Sequence, residues 1–174
     1  MDWNYHLFSK INAFQGRNRW LDAFGRAGGE WVIVAMVAWY AVGNKLDLGT
    51  DTHLLVVRLA FFVIAWITGW AISNGIGLFV HEPRPFVTHP EAKTMFRPMG
   101  GKSFPSDHAM TAWLVFFLSF LFNVPGFEML LPLALWVSWG RIFAGVHYPF
   151  DIVGGFFVSG LIFVLGTYIS ILYF

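Results

Sequence analysis

The chain has 174 residues, of which 57% are apolar and 12% charged, and its formal net charge is +1. Soluble domains carry about twice that density of charge. The composition therefore excludes a disordered chain, an ordinary soluble enzyme and a nucleic-acid binder acting through a basic surface. The lack of cysteine removes disulfides, thiolate nucleophiles and thiolate-bound metals. Twenty Phe, nine Trp and five Tyr suit a protein solvated by lipid, with indole and phenol groups at the interfaces.

Trp3, Leu7, Ile11 and Phe14 recur at helical spacing, with Lys10, Arg17 and Arg19 polar. This predicts that residues 1–29 form an interfacial segment that does not cross the membrane. The segment has no continuous apolar run of the kind a cleavable signal needs. A crossing helix takes about 20 residues at about 1.5 Å each to span about 30 Å of hydrocarbon. Five stretches reach or approach that length: 30–42, 54–80, 108–122, 127–146 and 150–174. Gly43-Asn44, Val124-Pro125-Gly126 and Tyr148-Pro149 break the pattern between them. The expected fold is all-α: an integral membrane helical bundle of about five transmembrane helices plus an N-terminal interfacial helix, in one domain over 1–174. Counting crossings puts segment 1–29, the loop 81–107 and the turn 145–149 on one side.

Ionisable groups near membrane depth are costly and mark functional sites. On that side they form three clusters: Glu82-Pro83-Arg84-Pro85, then Pro105-Ser106-Asp107-His108, then Arg141 followed by His147 and Asp151. Ser106 or Asp107 can cap the helix that carries His108, and a helix N-terminus attracts anions. His147 and Asp151 stand four apart, so the carboxylate can fix the imidazole tautomer and leave the other nitrogen basic. Arg141 offers a planar fork suited to phosphate. Taken singly, each feature also fits a capped helix or a structural hydrogen bond. Together, two His, two Arg and an Asp suit phosphoryl transfer through a phosphohistidine. No metal or other cofactor is called for, since a guanidinium-lined pocket repels a divalent cation.

The three clusters resemble the motifs of the type 2 phosphatidic acid phosphatase superfamily. That pattern is Lys-x6-Arg-Pro, then Pro-Ser-Gly-His, then Ser-Arg-x5-His-x3-Asp. It stands here as Arg84-Pro85, Pro105-Ser106-Asp107-His108 and Arg141-x5-His147-x3-Asp151. The resemblance implies His147 as nucleophile, Asp151 as its partner and His108 as the acid that protonates the leaving oxygen. It implies phosphate binding by Arg84, Arg141 and Ser106. Three positions depart from the pattern: the family Lys falls on Gly77, the motif Gly is Asp107, and the Ser before Arg141 is Gly140. Lys93, Arg97 and Lys102 are candidates to replace the missing Lys, with Lys102 and Arg97 preferred for their proximity to the second motif.

Glu-Pro-Arg-Pro-Phe together with Pro-Ser-Asp-His in a short chain is similar to the bacitracin-resistance type of undecaprenyl-diphosphate phosphatase. That likeness implies recycling of a C55 isoprenyl carrier lipid for peptidoglycan synthesis, with the bilayer and the lipid substrate as partners. Glu82 either orients Arg84, serves the leaving group or is a surface acid at a helix end. Phosphatidylglycerophosphate or phosphatidate are alternative substrates for the same machinery. A vanadate-dependent peroxidase or a non-catalytic phosphate-binding membrane protein would represent other classes. The resemblance implies a bacterial inner-membrane location with the site facing away from the cytoplasm. The bias of Lys10, Arg17, Arg19 and Arg26 against Lys45 and Arg58 points the opposite way. Oligomeric state is not readable from the sequence.

Overall fold

A computed structural model describes residues 3–96 and 102–173. Helix α1 covers Trp3–Asn12. After a turn through Gly16, a continuous rod runs from Arg19 to Leu48. It comprises α2 (Arg19–Arg26), a π-helical turn (Ala27–Trp31) and α3 (Val32–Leu48). Helix α4 spans Thr52–Phe79, α5 is the single turn Pro85–Thr88, and α6 spans Asp107–Leu121. A 3-10 turn (Phe127–Met129) leads into α7 (Leu130–Phe143), and α8 covers Pro149–Tyr173. Side-chain caps start three of these helices. Asn18 accepts from the Trp20 and Leu21 amides, Asp51 from Leu54, and Ser106 from Ala109.

The solvent can be read from α4. Its 28 residues are strongly apolar, yet only Ala65, Gly69 and Ser73 are buried. Such a helix is stable only where the solvent is itself apolar. The rod Arg19–Leu48 and α8 are also long and apolar enough to cross a membrane. The protein is an all-α integral membrane bundle.

Helix α6 is the axis of this bundle. It buries Ala109 through Val115, Leu118 and Ser119, and α8, α7, α3 and α4 all pack on it. Glycine sets the closest approaches. A Cβ on Gly155 of α8 would lie 2.7 Å from the Ser106 carbonyl oxygen and 2.8 Å from the Met110 nitrogen. A Cβ on Gly140 of α7 would lie 2.5 Å from the Gly29 nitrogen and 2.6 Å from the Gly28 carbonyl carbon.

Residues 1–29 differ from the expected single segment. They divide at Gly16 (φ +82°), and residues 19–29 extend the first long helix. Gly28-Gly29 does not break the rod, because both glycines are buried against α7 and their amides stay within a helical turn. The exposed side of α1 carries Trp3 and Leu7, while Phe8 and Asn12 face inward. Helices α6 and α7 have 15 and 14 residues, about 22 and 21 Å of rise, short of a hydrocarbon core of about 30 Å. The turn 144–148 that ends α7 is buried in protein, where irregular backbone is tolerated at membrane depth.

The backbone contact at Gly140 predicts a sharp contrast between glycines. Gly140→Ala forces two helix backbones apart and should cost about 1–3 kcal/mol. At Gly75 and Gly160 an added Cβ meets nothing within 4 Å, so Ala there should be neutral or stabilising by up to about 1 kcal/mol. Thermal unfolding of the three detergent-solubilised variants measures the difference.

Candidate active site

The turn between α7 and α8 places the central histidine. Gly145, at φ +79°, lets the chain close against the Lys93 carbonyl, where a side chain would collide. Val146 and His147 then run through the interior until Pro149 opens α8, a position that requires no amide hydrogen. The helix starts just after His147, so Asp151 in its first turn reaches back to the imidazole. His147 Nδ1 lies 3.3 Å from Asp151 Oδ2, and both side chains are almost wholly buried. The same carboxylate oxygen accepts from Ser103 Oγ at 2.5 Å and from the Tyr148 amide at 2.7 Å.

The other face of the ring meets Arg84. Its Nη1 lies 3.3 Å from His147 Nε2 and donates to the Val146 carbonyl at 3.0 Å. Arginine can only donate, so the contact assigns the lone pair to Nε2 and the proton to Nδ1, which points at the carboxylate. Burial holds the imidazole pKa well below its usual value, and the Arg141 and Arg84 cations push it the same way. His147 is thus a neutral base with its free nitrogen turned toward a cation.

Arg141 ends α7 with its Nη1 donating to the Gly29 carbonyl at 2.8 Å and its guanidinium 5.2 Å from the centre of the Phe96 ring. Arg84 and Arg141 are both buried, and each leaves Nε without a partner among the described residues. Ser106 caps α6, and its amide donates to the Asp151 carbonyl at 3.0 Å. That bond registers the start of α6 against the start of α8. His108, in the first turn of α6, opens with Asp107 into an apolar groove of about 640 Å³ lined also by Val37, Phe62, Trp66 and Trp70.

The remaining candidates separate. Lys102 pairs with Asp107, Nζ to Oδ1 at 3.0 Å. Lys93 turns away, its ammonium donating to the Gln15 carbonyl. Arg97 lies outside the described residues. Glu82 is exposed, lining a neighbouring cleft with Phe104 and Asp151, and its carbonyl accepts from the Ser103 amide. Reading the sequence missed Ser103 altogether. A lone serine before Phe-Pro gives no periodic signal, and only the fold brings it to Asp151.

The family model described as PAP2 superfamily matches residues 55–172. The chain is 32% identical over 163 residues to undecaprenyl-diphosphatase BcrC of Bacillus subtilis, an alignment covering 91% of this chain and 80% of that one. It is 30% identical to the putative undecaprenyl-diphosphatase YbjG of Escherichia coli, across 91% and 78% of the two chains. Among solved structures, Aquifex aeolicus LpxE superposes with a TM-score of 0.69 at 20% identity, covering 95% of each chain. The PAP2-type phosphatidylglycerolphosphate phosphatase of Bacillus subtilis superposes at 0.56 and 17%, over 98% and 96%. These two show a shared transmembrane fold. With the family's three motifs in order and its model matched over most of the length, this membrane protein belongs to the PAP2 superfamily, the group its sequence resembles.

Proposed function

We propose that the chain is a lipid-phosphate phosphatase that converts undecaprenyl diphosphate to undecaprenyl phosphate through a phosphohistidine. The supporting observation is the assigned lone pair on His147 Nε2, backed by Asp151 and facing the Arg84 guanidinium. In the first step His147 Nε2 attacks the terminal phosphorus while the bond from that phosphorus to the bridging oxygen breaks. The departing electron pair stays on the bridging oxygen, which takes a proton from His108. Asp151 accepts a stronger hydrogen bond from Nδ1 as positive charge develops on the ring. Arg84, Arg141 and the N-terminal amides of α6 beyond Ser106 hold the equatorial oxygens. Water, deprotonated by His108, then attacks the phosphohistidine, releasing inorganic phosphate and free His147.

The groove beside His108 supports a lipid substrate. Its walls on α3, α4 and α6 are aliphatic and aromatic, and only Asp107, His108 and Thr111 introduce polarity. An isoprenyl tail fits such a surface without leaving the apolar phase. The chemistry proceeds without metal, because guanidinium groups supply the charge a divalent ion would otherwise bring. On this reading the site faces away from the cytoplasm in a bacterial inner membrane, α1 lies in the interface, and residues 1–174 act as one unit.

Substitution of the nucleophile tests the mechanism. His147→Ala should lower phosphate release from undecaprenyl diphosphate by at least about 10³-fold, and His108→Ala by about 10²–10⁴-fold. Rapid quenching with terminally labelled substrate should trap an acid-labile, alkali-stable phosphoprotein that His147→Ala lacks. Full activity in His147→Ala overturns the mechanism. Much faster turnover of phosphatidylglycerophosphate or phosphatidate by the wild type overturns the substrate. Activity lost in EDTA and restored by a divalent ion overturns metal independence.

The lowered pKa of His147 also links stability to pH. The unfolded chain takes up a proton on this side chain near pH 6.5, whereas the folded site resists it to a lower pH. The contribution is complete above that value and is lost as pH falls, by at most about 1.4 kcal/mol per pH unit. The Tm of the wild type should therefore drop more steeply than that of His147→Gln between pH 7 and pH 5. Parallel curves would mean the imidazole titrates normally in the folded protein.

A further inference from the structure

The lysine of the family pattern is absent at Gly77, but a lysine chain crosses that spot from the other side of the site. A Cβ on Gly77 would lie 2.8 Å from Lys102 Cδ and 3.7 Å from Lys102 Cβ. The missing side chain on α4 leaves the channel through which Lys102 runs. An isolated bridge between Pro83 and Lys102 and the bond from the Ser103 amide to the Glu82 carbonyl hold the backbone in place. The ammonium ends on Asp107, which adjoins His108 in the first turn of α6 and shares its groove. The cation is thus held at the first turn of α6, on the residue that adjoins His108.

That position matters for one class of substrate. When a phosphate monoester is cleaved, the leaving group is an alkoxide, and a single proton from His108 neutralises it. When a diphosphate is cleaved at its terminal phosphorus, the leaving group is a second phosphate. It keeps negative charge after the bridging oxygen has been protonated, so a fixed cation beside the acid is needed. We infer that Lys102 binds the inner phosphate of a diphosphate lipid and sets the preference of this site for diphosphates over monoesters. The inference rests on the phosphatase reading above. An ammonium has three donors, so Lys102 can keep Asp107 and bind phosphate oxygen at once. Asp107 holds the cation beside the first turn of α6 and offsets its charge.

The test uses the full chain in detergent, with an isoprenyl diphosphate and the isoprenyl monophosphate of the same chain length, measuring kcat/KM for phosphate release. Lys102→Met should lower kcat/KM for the diphosphate at least ten-fold more than for the monophosphate, and Lys102→Arg should keep the ratio within about three-fold of wild type. Equal losses on the two substrates, or no loss on either, would overturn the role of Lys102. The paired exchange Gly77→Lys with Lys102→Gly returns an ammonium to this place from α4 and should restore the ratio. Failure to restore it in a variant with wild-type Tm also overturns the assignment. A wild type that releases phosphate from the monoester alone overturns the diphosphate reading itself. A wild type that prefers the diphosphate while Lys102→Met keeps that preference overturns only the role of Lys102.

Discussion

One carboxylate oxygen organises the end of the bundle that carries the candidate site. A buried carboxylate needs partners, and Asp151 Oδ2 draws three donors: His147 Nδ1, the Tyr148 amide and Ser103 Oγ. They come from two separate stretches of the chain, Ser103 before α6 and His147-Tyr148 before α8. The backbone of Asp151 extends the tie by accepting from the Ser106 amide. The residue that fixes the histidine tautomer therefore also fixes where α6 begins, and with it His108. Disturbance of this side chain would alter imidazole orientation and the relative position of α6 and α8 together, so their contributions to activity cannot be expected to add.

The same economy of partners applies to the cations. Among the described residues, Arg84 and Arg141 are anchored through carbonyls, Val146 for one and Gly29 for the other, and not through carboxylates. A carboxylate would neutralise the charge and compete with an anionic ligand; a carbonyl orients the fork and leaves the charge intact. Each guanidinium retains one buried Nε without a partner among the described residues, a deficit of about 1–3 kcal/mol per group. On the proposed function the incoming phosphate offsets it, while Gly28 and Gly29 stay without side chains because Trp136 and Gly140 of α7 pack directly against them.

Much of this was legible in the residues, for a physical reason. In a chain with so few charges, ionisable groups near apolar stretches stand out, and the four-residue step from His147 to Asp151 is local. What lay beyond reading was set by tertiary approach. The continuity from Arg19 to Leu48 across the expected boundary at residue 29 goes with α7 covering Gly28-Gly29, a packing surface with no signal of its own in the sequence. Ser103 gains its role only when the loop before α6 folds onto α8. Lys102 could be named as a candidate from proximity in the chain, but its path over Gly77 joins residues on separate elements and has no periodic trace.

Helix lengths then constrain how a lipid meets the site. Gly69 of α4 packs on Met110 in the first turn of α6. From that level α4 runs on for ten residues to Phe79, roughly 15 Å, whereas α6 ends within roughly 5 Å, at Asp107. Helix α4 thus continues past the level at which α6 begins, and Lys102 and Phe104 line it there at Gly77. On the proposed function, a phosphate descends along α4 to reach the imidazoles, and the cost of that descent depends on its tail. For a soluble ester the descent strips water from both charge and tail-less alcohol with only the cations in return. A lipid already has its tail in the apolar phase, and the groove beside His108 opens onto that phase, so its head group need only sink along α4 toward Lys102, Arg84 and Arg141. On the proposed function the recess favours a substrate anchored in the bilayer, because such a substrate approaches with most of its desolvation already complete.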